Sequence, residues 1–132
     1  MDLRVIEIKD LKQAAGEISA LKVHKGGIGI MAPKAVTRII KVSGADSAAL
    51  NILKQEMLSA GGDCAVSWDA FIKRRKSADA LIIGTIAQIG RLREKLKRQP
   101  LGLSLLAERI EALEADYDRR DFILRAGKYR LN

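Results

Sequence analysis

The chain has 132 residues, of which 48% are hydrophobic and 30% charged, and its formal net charge is +8 at pH 7. This balance is typical of one globular domain and excludes an intrinsically disordered chain. Apolar runs stay shorter than the ~18–20 residues of a membrane helix, and the sequence does not open with a secretory signal pattern. Cys64, the single cysteine, excludes an intrachain disulfide. We therefore expect a cytoplasmic protein.

The N-terminal third mixes strand and helix signals. Residues 3–8 alternate well enough to predict a first strand. Asp10 is a candidate N-cap for a helix that the turn-like residues 24–27 end. Residues 32–36 are expected to form a turn or a short helical segment, because Pro33 suits a first helical position or a bend. The next residues fit two structures, since Val36, Ile39 and Ile40 have helical spacing whereas the β-branched run from residue 37 to residue 42 favours a strand. We predict a second strand over residues 38–43.

A central helix is predicted between Asp46 and Gly61, because apolar residues recur there at helical spacing: Ala49, Leu50, Leu53, Met57 and Ala60. Asp46 or Ser47 is the expected N-cap. Gly61 and Gly62 end the helix, since glycine enters the left-handed conformation without steric cost. Residues 64–66 follow as a short apolar strand.

Beyond the central helix, residues 73–76 are four consecutive cations and predict an exposed loop. Residues 79–83 predict a buried strand that ends at Gly84. Thr85 is the expected N-cap of a basic amphipathic helix that Pro100 ends. Residues 101–115 predict a further amphipathic helix.

The C-terminal end has a different pattern. Residues 116–121 are expected to form a charged hinge, and residues 122–131 alternate around Ala126-Gly127 as a hairpin does. The whole chain is thus predicted as an α/β fold, a small sheet covered by helices in a sandwich, plus a C-terminal β-hairpin. The order of the strands in the sheet is not determined by the sequence.

Few residues have the spacing that chemistry requires. His24, the sole histidine, is expected to be a solvated loop residue, because no second ligand type lies at metal-binding spacing. Cys64 is expected to be a buried structural thiol. Gly84-Thr85 lies where a strand meets a helix N-terminus, so Thr85 is either an anion ligand or simply the helix cap.

Several segments carry a family resemblance: NILKQEMLSAGG at 51–62, MAPKAV at 31–36, GT at 84–85 and KLKRQP at 95–100. They resemble the N-terminal region that precedes the catalytic barrel in some bacterial and archaeal dihydropteroate synthases. FILRAGKYRLN at 122–132 resembles the strand pair that opens that barrel. The resemblance implies an accessory domain over residues 1–118, followed by a hinge and hairpin over 119–132.

Dihydropteroate synthases join a pterin diphosphate to p-aminobenzoate on a TIM barrel, and the motifs for that chemistry lie beyond the point where this chain ends. The resemblance therefore implies a noncatalytic region without catalytic residues, metal or cofactor of its own. Its partner would be the synthase barrel or a second copy of the chain. The candidates for a ligand or domain contact are Lys34, Arg38, Lys54, Gln55, Glu56 and Thr85.

A second class of function stays open at this stage. The net charge of +8 also suits a basic α/β module that binds nucleic acid, with RNA as the expected partner. Its patch would combine the cationic loop with the outer face of the basic helix: Lys73, Arg74, Arg75, Lys76, Arg91, Lys95 and Arg98. A fall in affinity with salt would distinguish this function from the first one.

Overall fold

The computed structural model describes residues 1–71 and 76–130, and side chains for residues 1–70 and 76–119. Within these residues, the elements run in the order α1 (Leu11–Ser19), α2 (Lys25–Met31), a single 3-10 turn (Ala32–Lys34), β1 (Thr37–Asp46), α3 (Ser47–Ser59), β2 (Asp63–Val66), α4 (Trp68–Phe71), β3 (Ser77–Thr85), α5 (Ile86–Leu96) and α6 (Leu103–Arg130). The predicted α/β class, a small sheet covered by helices, is confirmed.

The sheet has three antiparallel strands in the order β1-β3-β2, so β3 is central and pairs with both neighbours. Pairing of β1 with β3 shifts register between Val42 and Ala45. Gly44 lies in this bulge at φ +68°, a left-handed conformation that glycine adopts without strain. The Gly44 amide donates a hydrogen bond of 2.9 Å to the Asp79 carboxylate on β3, which fixes the bulge.

The main core lies between one face of the sheet and the helices α3, α5 and α6. Each strand turns alternate side chains inward, and Ile40, Cys64 and Ile82 are buried on this side. They pack against the apolar stripes of the helices, whose fully or almost fully buried members include Leu50, Leu53, Met57, Ile89, Leu92, Leu96, Leu103 and Ile110. Aliphatic side chains build this core.

Local signals placed the central helix correctly. The Asp46 carboxylate accepts hydrogen bonds from the backbone amides of Ala48 and Ala49, so Asp46 is the N-cap of α3. At the other end, Gly61 has φ +97° and takes the left-handed conformation that ends the helix. Thr85 is likewise the N-cap of α5, as predicted.

A smaller core cluster lies under the N-terminal helices. Ala14 on α1, Ala32 in the 3-10 turn and Val36 are buried together, and Ile8, Ile18 and Ile86 pack against them. The prediction of a break at residues 24–27 is wrong in part, because Lys25 to Gly27 already belong to α2. The His24 imidazole Nδ1 accepts a hydrogen bond from the Gly26 amide at 3.2 Å, so this histidine caps a helix.

Two predicted strand regions are wrong. Residues 3–8 have no regular secondary structure, because a strand needs a neighbour for its backbone groups and no other strand of the described chain pairs with them. The predicted hinge and hairpin are instead the C-terminal half of α6, which continues to Arg130. A helix satisfies its backbone hydrogen bonds locally, whereas a lone two-stranded hairpin is marginal in water. Leu131 and Asn132 lie outside the described residues, and the division into domains at 118/119 stays a prediction.

Candidate functional site: the open sheet face and the edge cleft

The sheet face opposite the main core is not covered by any of the described helices. Ile39 on β1 is 64% exposed, and Leu81 and Ile83 on β3 are also exposed. The strand register sets Ile39 beside Ile83 and Lys41 beside Leu81, so the apolar side chains are contiguous. Strands that are solvated on one face normally carry polar side chains there. We call this apolar surface the open face.

The open face has charged residues beside its apolar centre. Asp63 on β2 lies next to Ile83, and Lys41 is next to Leu81. A shallow depression of about 280 Å³ lies nearby, lined by Lys41, Ala65, Val66, Ser67, Asp79, Ala80 and Leu81. An apolar centre with a polar rim is the usual composition of a protein-binding surface.

A larger cleft of about 580 Å³ runs along the outer edge of β1. The N-terminal segment, β1 and α6 line the cleft with the residues Ile8, Lys9, Thr37, Arg38, Ile39, Ile40, Lys41, Leu113, Glu114 and Tyr117. We call it the edge cleft. Thr37, Ile39 and Lys41 belong to the open face, so the cleft and the open face form one continuous surface. In the described chain, β1 has a strand partner only on its other side, β3.

Arg38 is a largely buried charged group of the edge cleft. Its side chain is 11% exposed, and a guanidinium nitrogen lies 2.5 Å from the Asp118 carboxylate on α6. The guanidinium carbon lies 4.6 Å from the ring centre of Tyr117, a cation–π distance. Among the described residues nothing accepts a hydrogen bond from its buried Nε. Arg38 thus joins α6 to β1 and leaves one donor unused.

Glu114 lies beside Arg38 in the lining of the edge cleft. Burial raises the pKa of its carboxyl group, and the attraction of Arg93 and Arg38 only partly offsets that effect. The Arg93 Nε is 3.8 Å from the Glu114 carboxylate, too far for a hydrogen bond. A second nitrogen of Arg93 lies 3.7 Å from Glu111. These ion pairs connect α5 to α6.

The sequence-predicted contact residues do not converge on one site. Lys54 donates a hydrogen bond of 2.7 Å to the Cys64 carbonyl oxygen and lies 3.6 Å from Asp63, so it connects α3 to β2. Thr85 and Gln88 form a reciprocal capping box at the start of α5. Arg38 alone lies in the edge cleft; Gln55 and Lys34 are exposed, and Glu56 is half-buried. Their role as ligand or domain contacts stays a prediction.

The predicted nucleic-acid patch is only partly described. Lys73, Arg74 and Arg75 lie outside the described residues, while Lys76 and Arg98 are exposed and Lys95 is half-buried. Arg91 donates a hydrogen bond of 3.2 Å to the Ala60 carbonyl oxygen, which joins α5 to the end of α3. At least this guanidinium therefore has a structural contact that a phosphate would have to replace.

Three further properties bear on chemistry and on membrane insertion. Among the described residues, the His, Cys, Asp and Glu side chains form no group of three or more that could hold a metal ion. Cys64 is buried, and burial raises the pKa of its thiol to about 11. In the same part of the chain, helices never combine the length and apolar character that crossing a membrane requires.

Sequence reasoning placed Leu113 and Glu114 on a predicted helix, residues 101–115, but did not place that helix beside β1, and it put Tyr117 in a predicted hinge, residues 116–121. The spacing of Leu113 and Tyr117, and of Glu114 and Asp118, is four residues, which places each pair on one helix face. That spacing indicates a helix that continues through residues 113–118. The open face was equally visible in the alternation of Thr37, Ile39 and Lys41 along β1.

Two curated proteins are similar to this chain. One is a probable bifunctional folylpolyglutamate synthase/dihydropteroate synthase of Halobacterium salinarum, 35% identical over 98 residues, which are 74% of this chain and 12% of that protein. The other is a bifunctional dihydropteroate synthase/dihydropteroate reductase of Helicobacter pylori, 31% identical over 102 residues, or 77% of this chain and 26% of that protein. No protein-family model matches the chain, and no solved structure matches it.

The chain spans about an eighth and about a quarter of the two relatives' lengths. It is therefore related to a region of folate-pathway proteins that contain a dihydropteroate synthase, as the sequence resemblance predicted.

Proposed function

We propose that the chain is a noncatalytic N-terminal region of a dihydropteroate synthase-like protein of the folate pathway, and that it packs against the synthase barrel. The barrel would be the part that handles the pterin, in the cytoplasm. The observation that carries this proposal is the open face, where Ile39, Leu81 and Ile83 form a contiguous exposed apolar surface.

An apolar sheet face is stabilised when another surface removes it from water, by about 25 cal/mol for each Å² of apolar area. The relatives supply a reason to expect such a surface in the same chain, because most of their length lies outside the matched region. The polar groups Asp63 and Lys41 beside the apolar centre would then give orientation rather than affinity.

The noncatalytic part of the proposal is supported by how the described polar residues are used. Lys54, Thr85 and Arg38 each connect one element to another or cap a helix. An acid or base in a reaction needs a group within hydrogen-bond reach of a bound substrate. The reductase activity in the Helicobacter pylori relative's name is the competing function for such a region.

The test is binding between this chain and the Helicobacter pylori synthase produced without the region that this chain matches. Wild type is expected to bind in titration calorimetry, and Ile39→Asp is expected to weaken binding about tenfold or more, because it buries an unpaired charge. Leu105→Asp is the matched control, since Leu105 is an exposed leucine on α6 outside the open face and the edge cleft.

Three results would count against the proposal. They are no binding by the wild-type chain, a loss of binding in the Leu105→Asp control as large as that in Ile39→Asp, and condensation of pterin diphosphate with p-aminobenzoate or reduction of dihydropteroate by the chain alone. Salt-sensitive RNA binding that the Ile39→Asp variant retains would favour the nucleic-acid module instead. Thermal melts by circular dichroism establish that each variant is folded.

A further inference from the structure

Residues 3–8, which we call the N-terminal arm, have the sequence of a strand but no strand partner among the described residues. The arm ends beside the edge cleft, because Ile8 and Lys9 line that cleft. Its base is fixed, since the Lys9 amide donates a hydrogen bond of 2.7 Å to the Gln13 side chain. The rest of the arm extends into solvent, and Val5 is 95% exposed. The arm therefore lies within reach of the edge cleft of its own chain.

The backbone of β1 also presents groups to the edge cleft, and the ladder with β3 determines which ones. The Ile86 amide donates a hydrogen bond of 2.9 Å to the Val36 carbonyl oxygen, at the start of this ladder. Alternate residues of an antiparallel strand direct their N–H and C=O groups to the same neighbour. With the register of β1 and β3, residues 38 and 40 therefore point to β3, as Val36 does. The residues whose backbone groups point outward, into the cleft, are Thr37, Ile39 and Lys41.

The position of Ile8 sets the direction in which the arm would add to the sheet. Ile8 packs against the small N-terminal core, and Val36, the residue before β1, is a buried member of that core. From this point the arm would run back toward its start while β1 runs forward, so the two strands would be antiparallel. Residues 3–7 and residues 37–41 each span about 17 Å as strands, so the arm matches the length of β1 that lines the cleft.

The facing of the side chains gives the register. Opposite residues of an antiparallel pair have their side chains on the same face of the sheet. Ile8 and Val36 both face the small N-terminal core, and pairing them sets Val5 opposite Ile39 on the open face. Ile6 then faces the helix side, as Ile8 does. In the structure Ile6 is 44% exposed and Val5 is 95% exposed, which is the alternation that this facing predicts.

We propose that the N-terminal arm is a strap that closes over the edge cleft of its own chain and pairs with β1 as a fourth, antiparallel strand. The structure shows the strap open and anchored at Ile8. Closure gives the outward backbone groups of β1 hydrogen-bond partners and sets Leu3 and Val5 beside Ile39. A chain with a closed strap thus has a wider open face, and it no longer presents the edge of β1 to other chains.

Amide hydrogen exchange of the chain alone, followed by NMR, tests the pairing. In the closed state the Ile39 amide donates to the arm, so its exchange is expected to be at least about tenfold slower in wild type than in Val5→Pro. Proline at position 5 removes the backbone donor that faces β1. Arg4→Pro is the matched control, because the Arg4 N–H points away from β1 in this register, and it should keep the wild-type protection. The Ile40 amide points to β3 and should stay protected in every variant, which shows that the sheet is folded.

Disulfide trapping tests the register. Val5→Cys and Ile39→Cys are introduced into one chain, and mild oxidation in dilute solution is expected to form a bond within that chain. Opposite residues of such a pair have Cα atoms about 5.5 Å apart, a distance that a disulfide spans. In the control, Leu58→Cys replaces Ile39→Cys, because Leu58 is an exposed leucine on α3 that does not line the cleft. The native Cys64 is buried and does not compete.

Any of three results would overturn the strap. They are equal exchange of the Ile39 amide in wild type and Val5→Pro, a disulfide that forms only between chains, and equally efficient trapping with Leu58→Cys. The synthase barrel is absent from both experiments, so they can fail while the docking proposal stands.

Discussion

Leu53 lies in the middle of α3 with its side chain fully buried among the strands and helices of the main core. Leu53→Ala is expected to reduce the free energy of unfolding by about 2–5 kcal/mol, because it removes apolar contacts and leaves a cavity. Denaturant melts measure the loss. Leu58→Ala, on the exposed side of the same helix, is the control and should change stability by less than about 0.5 kcal/mol.

Gly62 and Gly84 both lie beside the Met57 side chain, but a Cβ atom added at each glycine would have different further neighbours. At Gly62, a Cβ atom would approach the Ile83 carbonyl oxygen at 2.6 Å and the Met57 methyl at 2.3 Å. At Gly84, its closest neighbours are the Met57 methyl at 2.4 Å and Gln88 side-chain atoms from 3.0 Å. A flexible side chain can move, whereas a strand carbonyl group cannot without disturbing the sheet.

Gly62→Ala is therefore expected to lower the unfolding free energy by at least about 1–3 kcal/mol, more than Gly84→Ala. Gly16→Ala is the control, because a Cβ there meets nothing within 4 Å in the middle of α1. It should raise stability by roughly 0.5–1 kcal/mol. Equal effects at Gly62 and Gly84 in chemical denaturation would contradict this ranking.

Glu114 gives a pH prediction. Its pKa is raised by burial, so the folded chain holds the proton more tightly than the unfolded chain. The stability from the protonated group is present below the ordinary carboxyl pKa and is lost as the pH rises through the folded pKa. Glu114→Gln should therefore be more stable than wild type at neutral pH, and its advantage should disappear in acid.

Thermal melts at a series of pH values measure this difference. Glu111→Gln is the matched control, since Glu111 is an exposed neighbour on α6 that also pairs with Arg93. A wild type more stable than Glu114→Gln at neutral pH would mean that the attraction of Arg93 and Arg38 outweighs the burial of the carboxylate.

At the scale of elements, α5 depends on the capping box at its start. The Thr85 hydroxyl accepts from the Gln88 amide at 3.2 Å, and the Gln88 side chain accepts from the Thr85 amide at 2.9 Å. Thr85→Ala is expected to destabilise the fold by about 1 kcal/mol, whereas Thr85→Ser should retain most of the stability. Urea melts compare the two variants. Equal losses for both would contradict the cap.

The elements that the sequence predicted well are those whose signals are local. Asp46, Gly61 and Thr85 set helix ends through contacts within a few residues of themselves, and the structure has them in these roles. Residues 3–8 carry an equally clear strand pattern, but a strand depends on a distant partner. The same limit applies to residues 122–130, where the hairpin pattern gave way to a continuous helix.

The candidate site was only partly predictable for the same reason. Arg38 was singled out from the sequence, but its partners Tyr117 and Asp118 lie about 80 residues away along the chain. The edge cleft exists because α6 returns to β1, and that return depends on tertiary packing of α6 on α5. Lys54 and Thr85 were also singled out, but the fold uses them for local connections.

At the scale of the whole molecule, Cys64 reports on the integrity of the fold. Its thiol is buried on the covered face of β2, an edge strand of the sheet, and has a pKa of about 11, so it is protonated at neutral pH. Modification by a thiol reagent is expected to be slow in the native chain and to follow the opening of the core. Ser59→Cys, at an exposed position, is the reactive control. Rapid labelling of native wild type would contradict the buried assignment.

The strand order β1-β3-β2 also has a consequence for synthesis on the ribosome. The central strand is the last of the three to be made, so β1 and β2 have no hydrogen-bonding neighbour until residues 77–85 emerge. At typical elongation rates the interval between completing β2 and completing β3 is about 1–4 s. During that time Ile39, Ile40 and Val42 belong to an unpaired apolar segment, the kind of segment that chaperones hold or that aggregates. The nascent chain is therefore most vulnerable just before β3 closes the sheet.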